Sequence, residues 1–131
     1  MRYCGLFCVE AKGPLSNSST FFILVSGCGW VEKNSISRID LLKLDTEATE
    51  HIVLAGAHNV LAEHRPLIFC EVLPGRIEDE LNSIFSEFGY LRFRIGRGGL
   101  EEVSQLRHDQ SDSNDHLMVH STDRQRLERF L

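Results

Sequence analysis

Apolar residues recur along this chain with changing rhythm, and each change of rhythm marks an element boundary. Residues 21–25 (FFILV) are an unbroken apolar run between the loop chemistry of 13–20 and the Ser26-Gly27-Cys28-Gly29 turn, the pattern of a short buried strand. Residues 39–44 (IDLLKL) predict the next strand, with Asp45 at its carboxyl end. Thr46 or Thr49 can cap a helix that follows, with Ile52, Val53 and Ala57 at core-facing spacing. A second helical stretch over 59–64 carries Val60 and Leu61 and stops before Pro66. Residues 67–72 (LIFCEV) are apolar on both faces, which predicts a strand covered on both sides.

Pro74-Gly75 turns the chain into its clearest helix, where Ile77, Leu81, Ile84, Phe85 and Phe88 share a face and Gly89 marks the end. In residues 90–95, Leu91, Phe93 and Ile95 alternate with Arg92 and Arg94, so the strand has one covered face and the arginines point to solvent. A long polar connection, most polar at 108–116, leads to a short strand at 117–120 and a terminal helix at 123–131.

This order describes an α/β fold. Helical crossovers make the strands at 39–44 and 67–72 parallel, and the last two strands, joined without a helix, form an antiparallel pair. Residues 21–25 are the local segment suited to lie beside 39–44. Without such a partner the exposed sheet edge invites a second copy of the chain, a homodimer through that edge.

At 131 residues the chain encloses one modest core. A net charge of −5 argues against non-specific binding to nucleic acid or to an anionic membrane. The apolar run at 21–25 is too short to span a bilayer and is no signal peptide, so a cytoplasmic protein is expected. Cys4, Cys8, Cys28 and Cys70 fit no zinc spacing and read as buried or free thiols. The histidines are scattered; His116 and His120 share a strand face but stand apart, and no metal site is expected. Arg92, Arg94 and Arg97 beside Gly98-Gly99 faintly suggest an RNA contact, but strand alternation accounts for Arg92 and Arg94, and no nucleic-acid partner is expected.

Lys43, Asp45, Glu47, Glu50, Val53-Leu54, Gly56-Ala57, Arg65-Pro66 and Glu71 stand in an order that resembles the FkbM family of S-adenosylmethionine-dependent methyltransferases. The resemblance covers about residues 36–120. It implies a partial Rossmann-like class I methyltransferase fold, a mainly parallel sheet ending in an antiparallel strand pair. Residues 36–131 correspond to the carboxy-terminal half of that domain, and residues 1–35 are poorly matched. Two departures stand out. Ala48 occupies a position where the family usually has glycine, and a Cβ there can crowd a close backbone approach. The segment at 23–29 looks like the glycine-rich cofactor turn of such folds, but no acidic residue precedes Gly27 and a third glycine is absent. Only residues 30–38 separate it from the strand at 39–44, whereas one βαβ unit already takes about 30 residues.

Ligands of open α/β sheets bind beyond the carboxyl ends of the strands, where Asp45, Glu47 and Glu71 fall. Such carboxylates can orient a hydroxyl and accept its proton during methyl transfer. The resemblance implies Asp45 and Glu47 as catalytic residues, Asp45 and Thr46 at the S-adenosylmethionine cofactor, and Glu47 and Glu71 at the substrate, a small molecule or glycan. Spacing alone favours the simpler reading, that Asp45 and Glu47 start a helix, where acidic residues suit the dipole. Glu50 is expected to be exposed and to add helix stability. The competing functions are a non-catalytic remnant of such an enzyme and a small protein-interaction module.

Overall fold

The computed structural model describes residues 7–12, 19–23, 37–107 and 113–128. Strands β1 (Phe7–Lys12), β2 (Ser19–Ile23) and β3 (Arg38–Leu44) come first, then helices α1 (Glu50–Gly56) and α2 (His58–Glu63). Strand β4 (Leu67–Glu71), helix α3 (Glu78–Glu87) and strands β5 (Tyr90–Gly96), β6 (Gly99–Val103) and β7 (Asp115–His120) follow, and a 3-10 helix (Ser121–Leu127) ends the described chain. The strands make one sheet in the order β2-β1-β3-β4-β7-β5-β6.

The α/β class is as expected, and so is the pairing of its centre. β3 and β4 run parallel, Leu44 beside Cys70, because α1 and α2 carry the chain back over the sheet between them. β5 and β7 pair antiparallel, Arg92 opposite Met118. The expectation of a mainly parallel sheet is corrected: β3–β4 is the single parallel pair among the described residues, and the other five pairings are antiparallel. The reason is connectivity. A two-residue turn at 97–98 folds β6 back on β5, and the short connection at 13–18 leaves no room for a crossover helix between β1 and β2. β7 then inserts between β4 and β5, two strands of the same direction.

The neighbour of β3 also differs. Residues 21–23 belong to β2, which pairs with β1; it is β1 that lies antiparallel along β3, Phe7 opposite Leu44. β3 therefore has strands on both sides, with β1 and not residues 21–25 as the neighbour on that edge. Residues 24–25, the Gly27–Gly29 turn, Cys4, Cys28 and residues 129–131 of the terminal helix lie outside the described residues.

Helices α1, α2 and α3 cover one face of the sheet. Leu42, Leu44, Ile68, Cys70 and Met118 meet Leu54, Val60, Leu61, Leu81 and Phe85 in the main core. Each such aliphatic or aromatic side chain contributes on the order of 1.5–3 kcal/mol when fully buried. The other face is only partly covered. The 3-10 helix sets Leu127 against Phe93 and Val119, with Leu67, Leu91 and Leu117 half-buried around them. β4, expected to be covered on both sides, has a buried face of Ile68 and Cys70 and a half-buried face of Leu67 and Phe69. In α1, Leu54 and not Ile52 faces the core; Ile52 is 37% exposed, because the helix begins at Glu50 and its buried stripe runs through 50, 54 and 57.

α3 follows its apolar pattern, with Ile77, Leu81 and Phe85 buried and Gly89 closing it at φ 71°. The Glu78 carboxylate accepts the N–H groups of Gly75 (2.6 Å) and Arg76 (2.9 Å) in the turn before the helix and of Ile77 (3.1 Å) at its N-cap, which fastens the turn to the helix start. Arg92 corrects the picture of two solvent-facing arginines. It is 8% exposed, and its Nη2 donates to Asn82 O (2.7 Å) and Ser86 Oγ (2.6 Å), because α3 crosses the face that alternation alone assigns to water. Arg94 is half-buried and pairs with Glu101 of β6 at 3.7 Å.

Candidate functional site

The carboxyl ends of β3 and β4 lie side by side, since Leu44 pairs with Cys70. Asp45 follows Leu44, Glu71 ends β4, and Asp115 begins β7 directly opposite Glu71. Three adjacent strands thus deliver three carboxylates to one rim, and Glu47 joins them from the loop after β3.

Electrostatics report this convergence. The Glu71 carboxyl is held above its ordinary range by partial burial, then by the negative charges of Asp45, Asp115 and Glu47. The neighbouring Cys70 thiol is pushed up by burial and by Glu50, Glu71, Asp115 and Asp45, which keeps it protonated and unreactive. Lys43 stands 3.7 Å from Asp45, and both are about half exposed, so the pair is weak. Among the described residues no group of three or more histidines, cysteines and carboxylates is arranged to hold a metal ion.

The loop at 45–49 is unusual. Glu47 and Ala48 both have left-handed backbones, at φ 54° and 71°. Ala48 thus accounts for the glycine expected there through conformation: a Cβ costs energy at that φ even where space is available. Thr49 occupies the N-cap position of α1, yet its hydroxyl donates to Thr46 O (2.7 Å) and not into the helix. Thr46 gives its N–H (2.6 Å) and its hydroxyl (3.0 Å) to Glu50 Oε1. Thr46, expected at the cofactor, has both donors engaged by Glu50 at the start of α1.

Glu50 overturns its own expectation. It is 1% exposed, covered where α1 meets the sheet, and its Oε2 has no hydrogen-bond partner among the described residues. Asp45, Glu47 and Glu71 are brought together as their strand-end positions implied. Glu50 and Asp115 were the residues that sequence reasoning missed. Asp115 sits in a polar run whose strand start has no apolar signal, and its register against Glu71 is a long-range matter.

A surface hollow of about 740 Å³ lies beside α3, bordered by Gly75, Glu78, Asn82, Ser83, Gln105 and Arg107. None of the rim carboxylates lines it. Among the described residues no helix is long and apolar enough to cross a membrane.

No curated protein and no solved structure matches the chain. The methyltransferase FkbM domain matches residues 29–95, the stretch that holds β3, α1, α2, β4, α3 and nearly all of β5. That match spans just over half of the sequence, and the chain belongs to the FkbM methyltransferase domain family.

Proposed function

We propose that this chain carries the carboxy-terminal half of an S-adenosylmethionine-dependent methyltransferase domain that acts on a hydroxyl group of a small molecule or glycan. The observation that carries the reading is the carboxylate rim of Asp45, Glu47, Glu71 and Asp115 at the carboxyl ends of the parallel pair. Its donor chemistry fits a cationic cofactor, since closely set carboxylates repel one another until a positive charge lies among them. S-adenosylmethionine, when bound, supplies an electrophilic methyl group on a positively charged sulfur.

Asp45 would hold the cofactor side, and Thr46 keeps its loop in place. Glu47 and Glu71 would face the acceptor. A carboxylate in hydrogen-bond reach of the acceptor hydroxyl orients its oxygen and takes its proton as the oxygen gains the methyl group. Glu71 suits proton acceptance, because its raised pKa makes it a stronger base than an ordinary carboxylate.

One observation favours a second reading, a non-catalytic remnant: β3 is flanked by antiparallel β1, where the resemblance implies a further parallel strand. Calorimetric titration with S-adenosylmethionine separates the two. The methyltransferase reading expects weak saturable binding that Asp45→Asn abolishes. The same featureless trace for wild type and Asp45→Asn supports the remnant.

A further inference from the structure

We propose that Glu50 is the positioning residue of the carboxylate rim: by gripping Thr46 it holds the loop at 45–48 in the path that brings Asp45 onto Glu71. The purpose of this clamp rests on the methyltransferase reading above; its geometry does not. Carboxylates are almost never fully buried unless paired, yet Glu50 is 1% exposed and its partner is no cation. Oε1 receives both Thr46 donors, at 2.6 Å and 3.0 Å, and Oε2 has no hydrogen-bond partner among the described residues. A glutamate that served only the dipole of α1 would do so from the surface, fully hydrated.

What the burial secures is the loop. The Thr49 hydroxyl closes onto Thr46 O at 2.7 Å, so Thr46 is held from both its amide and its carbonyl side. The left-handed Glu47 and Ala48 come next in the chain. Non-glycine residues keep such conformations only where their surroundings over-determine them. Asp45 immediately precedes Thr46, so releasing Thr46 frees the residue that meets Glu71.

The contact can be read without cofactor or substrate, so the clamp and the methyltransferase reading can fail separately. The groups facing Glu71 are Asp45 and Glu47 from the loop, Asp115 from β7 and Cys70 beside it in β4, with Lys43 paired to Asp45. Carbon-13 shifts of the Glu71 carboxyl, followed across pH, report how closely Asp45 approaches. Glu50→Ala is expected to lower the Glu71 titration midpoint toward the ordinary carboxylate range, as withdrawing a like charge does. Thr46→Val should lower it less. Glu50→Gln, whose amide oxygen can still receive both Thr46 donors, should stay near wild type. An equal fall in Glu50→Gln and Glu50→Ala assigns the effect to the charge of Glu50 and overturns the proposal, as does an unmoved midpoint in folded Glu50→Ala. If amide spectra show Glu50→Ala unfolded, an unmoved midpoint in Thr46→Val overturns it instead.

Discussion

Asn82 grips the backbone of Leu106 from both sides: its Nδ2 donates to Leu106 O and its Oδ1 accepts from Leu106 N, each at 2.9 Å. One side chain on α3 thereby fastens the segment that leaves β6, and it does so where Leu106 is buried in the main core. Asn82→Ala leaves both backbone groups of Leu106 without that partner. It is expected to destabilise the protein by about 1–3 kcal/mol, read from urea midpoints with an unchanged slope. Asn82→Asp, which loses only the donor, should fall between.

Ala48 offers a change in the opposite direction. A left-handed backbone costs a residue with a Cβ roughly 1–2 kcal/mol, against about 0.4–1 kcal/mol for the extra freedom that glycine has when unfolded. Ala48→Gly is therefore expected to stabilise by about 0.5 kcal/mol, and a lower urea midpoint than wild type would contradict it. Part of this site was legible in the sequence. The motif singled out position 48 as one that wants glycine, whereas its positive φ could be read only from the backbone itself.

Glu71 sets a pH dependence of definite sign. Its folded pKa lies above the ordinary 4.5, through burial first and then Asp45, Asp115 and Glu47. The folded state therefore binds the proton more tightly, and the stability from this group is full below pH 4.5 and lost as pH rises through the folded value. Glu71→Gln removes the like charge opposite Asp115 and should be more stable than wild type at neutral pH by about half a kcal/mol, the scale of a cross-strand pair. The difference should shrink on acidification. Melting temperatures of the two proteins across pH check it.

His120 works the other way. Its Nδ1 accepts the Thr122 N–H at the head of the 3-10 helix (3.3 Å), and its ring meets Tyr90 edge-on at 5.6 Å between centroids. Burial, then the charge of Arg65, holds its pKa below 6.5, against a smaller opposing pull from Asp123. The unfolded chain therefore takes up the proton first. Stability from this group is full above pH 6.5 and is lost as pH falls through the folded value. His120→Asn keeps an accepting oxygen at the cap and should remove that acid-side loss. Urea midpoints of both proteins between about pH 5 and pH 8 measure it.

The sequence by itself determined the elements whose signal is local. The apolar stripe through Ile77, Leu81 and Phe85, closed by Gly89, specified α3, and the order of strands and helices from 39 to 72 specified a parallel pair, because a helical crossover permits little else. The spacing from Lys43 to Glu71 was enough to indicate the family. Only the tertiary structure decided which strands become neighbours. Apolar alternation tells a residue which face it lies on and says nothing of which strand lies beside it, so β1 along β3, β7 between β4 and β5, and the β6 hairpin in a polar stretch were all out of reach. Burial of charge has the same origin. Glu50 and Arg92 read as exposed from their own segments, and became enclosed because α1 and α3 pack over a sheet whose other strands lie far away in sequence.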